Sequence, residues 1–139
     1  MPKPILCLDF DGVCHSYTSG WQGVETIPDP PVDDMWSALL RYHTYFDIHI
    51  HSSRSGQPGG IPAMMHWFDK HCPIKGPAES AYDTGGTTVY YNTAGDTVLK
   101  LSFPRDKPPA FLGMDDRVML FTGAWPDAQD LLAFKPWNK

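Results

Sequence analysis

The feature that most constrains this chain is a short apolar run, Ile5-Leu6-Cys7-Leu8, that stops abruptly at Asp9-Phe10-Asp11-Gly12. An uninterrupted apolar run of this length suits a strand buried on both faces, as strands of parallel sheets are. Similar runs recur along the chain. Phe46 to His51 reads as a second strand, Val98 to Phe103 as a third, Phe111 to Met114 as a fourth and Val118 to Phe121 as a fifth. Helical patterns stand between the first of them. Asp33-Asp34 opens a helix through about Tyr42, with apolar Met35, Trp36, Leu39 and Leu40 on one side and the acids at its N-terminus. Ile61 to His71 is a second helix, with Pro62 tolerated in its first turn. Pro126 to Phe134 reads as a short closing helix. Strands alternating with helices predict an α/β fold, a Rossmann-like parallel sheet of about five strands covered by helices.

The 139 residues amount to a single domain, residues 1–139, long enough to bury its own core. Glycine and proline are abundant, 12 and 14 residues, so long loops are expected. Residues 13–31 read as a flap or loop, and no segment is long enough for a large cap domain. Ser52 to Gly60 is a loop. Residues 73–96 form a variable insertion with a possible hairpin at Thr93-Ala94-Gly95-Asp96. No apolar run approaches a membrane span, and the N-terminus lacks the pattern of a secretory signal. Three cysteines, Cys7, Cys14 and Cys72, form no C-x-x-C pair, so a reduced, cytoplasmic protein without disulfides is expected. The net charge of −5 disfavours a broad surface that tracks nucleic-acid phosphates.

Ligand sites of such sheets lie beyond the carboxyl ends of the strands. There the sequence places Asp9 and Asp11, then Ser52, Ser53 and Arg54, then Asp115 and Asp116, with Lys107 just before the fourth strand. Carboxylates, a hydroxyl and an ammonium converging on one pocket suit phosphoryl transfer. Mg²⁺ takes hard carboxylate oxygens. A carboxylate can attack phosphorus, and a second one can move the proton. A hydroxyl and an ammonium can hold the charge that develops on the phosphoryl oxygens.

Leu8-Asp9-Phe10-Asp11-Gly12-Val13 resembles the first motif of the haloacid dehalogenase superfamily of phosphohydrolases. Ile50-His51-Ser52-Ser53-Arg54 resembles the second motif, Lys107 the third, and Gly113-Met114-Asp115-Asp116 the fourth, in the family's order. The resemblance implies a small, capless phosphatase dependent on Mg²⁺. Asp9 would be the nucleophile and a metal ligand, and Asp11 the general acid/base, with its backbone carbonyl on the metal. Asp115 and Asp116 would complete the metal site. Ser52 would bind the transferring phosphoryl group, with Ser53 the competing hydroxyl, and Lys107 would neutralise it. Val13 stands where many members have threonine, and Lys107 approaches on a loop with no helix before it.

Gly12, His15, Trp21, Ser53 and Arg54 are the candidate substrate contacts. Each also has a plainer reading. Arg54, Arg105 and Arg117 read first as surface charges, His15 as an exposed loop histidine, and Trp21 as an aromatic that serves the core. His49 and His51 read as packing histidines, because no third ligand accompanies them. Cys14 reads as a packed thiol. The expected substrate is a phosphorylated small molecule or a nucleic-acid end, with no membrane partner. Two other functions use the same residues. A metal-dependent nuclease would gather Asp9, Asp11, Asp115 and Asp116 around two ions. A phospho-accepting signalling module would need no acid/base at Asp11.

Overall fold

A computed structural model describes residues 2–74, 78–82 and 85–138. Six strands and three helices follow one another as β1 (Ile5–Leu8), α1 (Met35–His43), β2 (Asp47–Ile50), α2 (Gly60–His71), β3 (Ala78–Tyr82), β4 (Gly85–Tyr91), β5 (Thr97–Pro104), β6 (Leu112–Met114) and α3 (Ala128–Leu132). The strands form one sheet in the order β3-β4-β5-β2-β1-β6. β5, β2, β1 and β6 pair in parallel. β3 and β4 add an antiparallel edge, β4 pairing antiparallel to β5. The chain is therefore α/β with a mixed sheet.

Two expectations are corrected. Residues 73–96 are no mere insertion, because they carry β3 and β4 and widen the sheet. Residues 75–77 and 83–84 of that segment lie outside the described residues. The anticipated hairpin at 93–96 joins β4 to β5. The Asn92 side-chain oxygen accepts from the Ala94 and Asp96 N–H groups, and the Gly95 N–H donates to the Asn92 carbonyl. Val118 to Phe121 is no strand and stays exposed. Only Asp115-Asp116-Arg117 separate it from β6, whereas a parallel partner needs a crossover of a dozen residues or more.

The two faces of the sheet are covered unequally. Leu6, Leu8, Ile48, Ile50, Leu99, Leu101 and Phe103 are buried on the side of the helices. Alternation sends Lys100, Ser102 and His49 the other way, where they are exposed or half-buried. Met35 and Leu39 of α1 and Ile61, Met64, Met65 and Phe68 of α2 fill the same core. Ring contacts of Trp36 with Phe68 and Tyr90, and of Phe68 with Phe103, tie both helices to that face. From β1 through β2 to β5 the sheet grows in one direction, so right-handed crossovers put both helices on one side. β6 lies on the opposite edge and is reached by a loop from Pro104, so no helix is brought to the second face there. No residue of α3 is buried.

Among the described residues no helix is long and apolar enough to cross a membrane. Cys7, Cys14 and Cys72 are unpaired. Burial and the nearby Asp9 and Asp11 carboxylates push the Cys14 thiol far up, as a packed thiol requires.

Candidate active site

The three adjacent parallel strands β2, β1 and β6 end side by side, which brings together Ser52, Asp9 and Asp115. The backbone continues the ladder into the site: the Asp9 N–H donates to the Met114 carbonyl at 2.9 Å, and the His51 N–H to the Leu8 carbonyl at 3.1 Å. Carboxylate oxygens of Asp9, Asp115 and Asp116 lie within 4.8 Å of one another. Burial raises the Asp9 carboxyl to about 7, and the Asp115 carboxylate adds to the rise. Asp116 is raised too, by burial and then by Asp115. Like charges crowded in this way are relieved by a divalent cation, and hard carboxylate oxygens suit Mg²⁺.

Asp9, Ser52, Ser53, Lys107 and Asp115 share one cleft of about 810 Å³. Ser52 is buried, and its hydroxyl accepts from the Arg54 N–H at 2.9 Å. The Ser55 hydroxyl accepts from the Ser52 N–H at 3.0 Å, so the loop after β2 is closed on itself. Lys107 reaches the cleft from the loop before β6, as its position in sequence predicts. Lys100, in mid-strand, belongs to a different hollow with Lys3, His43 and Asp47.

Gly12 places Asp116. Its φ of +86° is a left-handed conformation, and a Cβ there would overlap the Asp116 carboxylate. The Trp137 indole N–H donates to the Gly12 carbonyl at 2.9 Å, so the chain's last residues pin this turn. Gly12→Ala is expected to displace Asp116 and weaken binding of a divalent cation about tenfold. Titration calorimetry of Mg²⁺ or Mn²⁺ checks this, and unchanged affinity would remove Asp116 from the donor set.

The remaining site residues form a second cluster, and here expectations change. Arg54 is no surface charge and no free anchor for phosphate, since it is fully buried. Its Nε donates to Asp11 Oδ2 at 3.0 Å and its Nη2 to Asp11 Oδ1 at 3.2 Å. Its Nη1 donates to the carbonyls of Gly23 and Val24 at 2.8 and 2.7 Å. Trp21 stacks over the guanidinium, 4.5 Å from ring centroid to Cζ, and does not line the cleft. Gly60, opening α2, lies against the Arg54 carbonyl with no room for a Cβ.

His15 is likewise buried rather than exposed. Its Nδ1 meets Asp11 Oδ1 at 2.9 Å, and its Nε2 accepts from the Asp29 N–H at 3.1 Å. The Asp11 carboxylate is therefore turned away from the metal-type cluster and toward Arg54 and His15. Burial alone would raise its carboxyl, but hydrogen bonds from His15 and Arg54 outweigh that and hold it below the usual range.

Asp29, which sequence reasoning passed over, anchors the flap. Its carboxylate accepts from the Ser19 N–H at 2.8 Å and from the Ser19 hydroxyl at 2.5 Å. Burial acts upward on this group too, yet the Ser19 bonds leave it lowered. A carboxyl lowered by folding stabilises the fold above the unfolded value of about 3.9. That stability is lost as pH falls through the lowered folded value. Asp29→Asn is expected to flatten the acid side of the stability-against-pH curve, measured by denaturant unfolding at several pH values. A parallel downward shift at every pH would refute it.

Asp29 sits between prolines in a loop without periodicity, so no spacing marked it. Arg54 carried a faint signal, as an arginine two residues past a strand-end serine and opposite an acid pair, but nothing showed its burial. No protein-family model, no curated protein and no solved structure matches this chain.

Proposed function

We propose that this chain is a phosphohydrolase of the haloacid dehalogenase type, with a Rossmann-like core, acting on a phosphomonoester through an aspartyl-phosphate on Asp9 and using Mg²⁺. One observation carries the reading. Asp9 and Asp115 share a cleft with Ser52 and Lys107, and the Asp9, Asp115 and Asp116 oxygens fall within 4.8 Å of one another. A metal cluster alone needs no hydroxyl and ammonium beside it; a site for a transferring phosphoryl group does.

Asp9, Asp115 and Asp116 would hold the ion, and Mg²⁺ there supplies charge neutralisation at the phosphoryl oxygens. The Asp9 carboxylate attacks phosphorus, and the bond from phosphorus to the leaving oxygen breaks. Ser52 and Lys107 bind the phosphoryl oxygens through the O–H and the ammonium. Water then attacks phosphorus and releases Asp9 and phosphate. Asp11 keeps the acid/base role in this reading, protonating the leaving oxygen and then activating water. It reaches that role only by loosening its bonds to His15 and Arg54, because a carboxylate paired in that way has no proton to give.

The commitment of Asp11 to Arg54 and His15 weighs against a two-metal nuclease, which needs that carboxylate in the cluster. The test is phosphate release from 4-nitrophenyl phosphate with Mg²⁺, with EDTA, and with Asp11→Asn. Release is expected with Mg²⁺, is abolished by EDTA, and falls about 10²-fold or more in Asp11→Asn. Wild-type turnover in Asp11→Asn would leave that residue an anchor of the flap and nothing more.

A further inference from the structure

The cleft that holds Asp9 and Asp115 is far larger than a phosphoryl group needs, at about 810 Å³. Beyond the charged end its wall is apolar: Cys7, Phe111, Leu112, Val118 and Leu120. Three of these are strongly exposed, Phe111 at 73%, Val118 at 67% and Leu120 at 85%. Apolar surface of this kind, continuous with converging polar groups, is the usual make-up of a small-molecule site. The topology accounts for it, since the second face of the sheet beside β6 receives no helix. The sequence accounts for it too, since the apolar run 118–121 follows β6 too closely to join the sheet.

The charge pattern decides what fits. Among the described residues lining the cleft, Lys107 is the only lysine or arginine, and it shares the cleft with Asp9 and Asp115. A nucleic-acid end would bring further backbone phosphates to a protein of net charge −5, with no second lysine or arginine among the cleft's described lining residues to meet them. Sugars would bring hydroxyls to a wall with few partners for them.

Resting on the phosphohydrolase reading, we infer that the wall of Phe111, Val118 and Leu120 is the leaving-group subsite, and that the substrate is a phosphomonoester of an uncharged, apolar or aromatic alcohol. Specificity then comes from apolar burial beside the phosphoryl site. A neutral ring laid on this wall gains from leaving water in proportion to its area, and a short alkyl group gains far less.

The test compares 2-phenylethyl phosphate with ethyl phosphate, both esters of primary alcohols, so that leaving-group chemistry is matched. The expected result is a kcat/KM at least about tenfold higher for the phenylethyl ester, about 1.4 kcal/mol, and carried by KM. Val118→Asp and Leu120→Asp, at exposed positions where folding is not at stake, should each cut that ratio to near one. Equal kcat/KM for the two esters, or a 5′-phosphorylated oligonucleotide preferred over both, overturns the inference.

Binding to the Asp9→Asn protein by calorimetry separates this from the parent reading. If wild type releases no phosphate from any ester but Asp9→Asn binds phenylethyl phosphate about tenfold tighter than ethyl phosphate, the catalytic reading fails and the subsite stands. Equal binding sinks the subsite.

Discussion

Asp9→Asn is expected to abolish phosphate release, by about 10⁴-fold or more, while the protein stays folded. Asp9 sits where β1 ends, and its backbone N–H is held by the Met114 carbonyl, a bond that asparagine keeps. The side chain loses only the charge that, in the proposed reaction, would attack phosphorus. The change also removes one of the carboxylates crowded with Asp115, so the melting temperature should not fall. Phosphate release with Mg²⁺ and thermal unfolding, measured on the same preparations, check both halves. Turnover in Asp9→Asn at the wild-type rate would move the nucleophile elsewhere.

Arg54→Ala has the largest expected effect on stability. It leaves the half-buried Asp11 without its cation and frees the Gly23 and Val24 carbonyls. Breaking one partner of a buried pair costs about 3–5 kcal/mol. For a chain of this size that lowers the melting temperature by about 10 °C or more. Arg54→Lys keeps the charge but not the fork, so it should restore only part of the loss. Calorimetric unfolding reads these changes. A surface arginine that gripped substrate phosphate would behave in the opposite way, raising KM with little change in unfolding. That outcome would return Arg54 to the substrate contacts.

The two variants separate the two clusters that one stretch of sequence had merged. Asp9 and Asp11 stand two apart and were read together as chemistry. Asp9, where β1 ends, gathers with Asp115 and Asp116. Asp11 goes instead to the buried arginine and histidine. Asp11 thus binds flap to core in this conformation, and its pairing is what the proposed acid/base step would have to undo.

The sequence by itself determined the strand ends. Apolar runs stop at Asp9, His51-Ser52 and Met114-Asp115, and polar and charged groups gather where the strands end. That local rule was enough to place Asp9, Ser52, Lys107 and Asp115 in one cleft, and to locate α1, α2 and the turn at 92–96. Tertiary structure alone decided the rest. The mixed sheet depends on β5 pairing with the distant β2, which brings the β3–β4 edge with it and which no local pattern states. The burial of Arg54 and His15 depends on where the flap carbonyls, Asp29 and Trp21 come to lie. Polar side chains look alike in sequence whether they face water or a buried partner. The bare face beside β6 arose in the same way, since an apolar run specifies that a segment avoids water but not what it will meet.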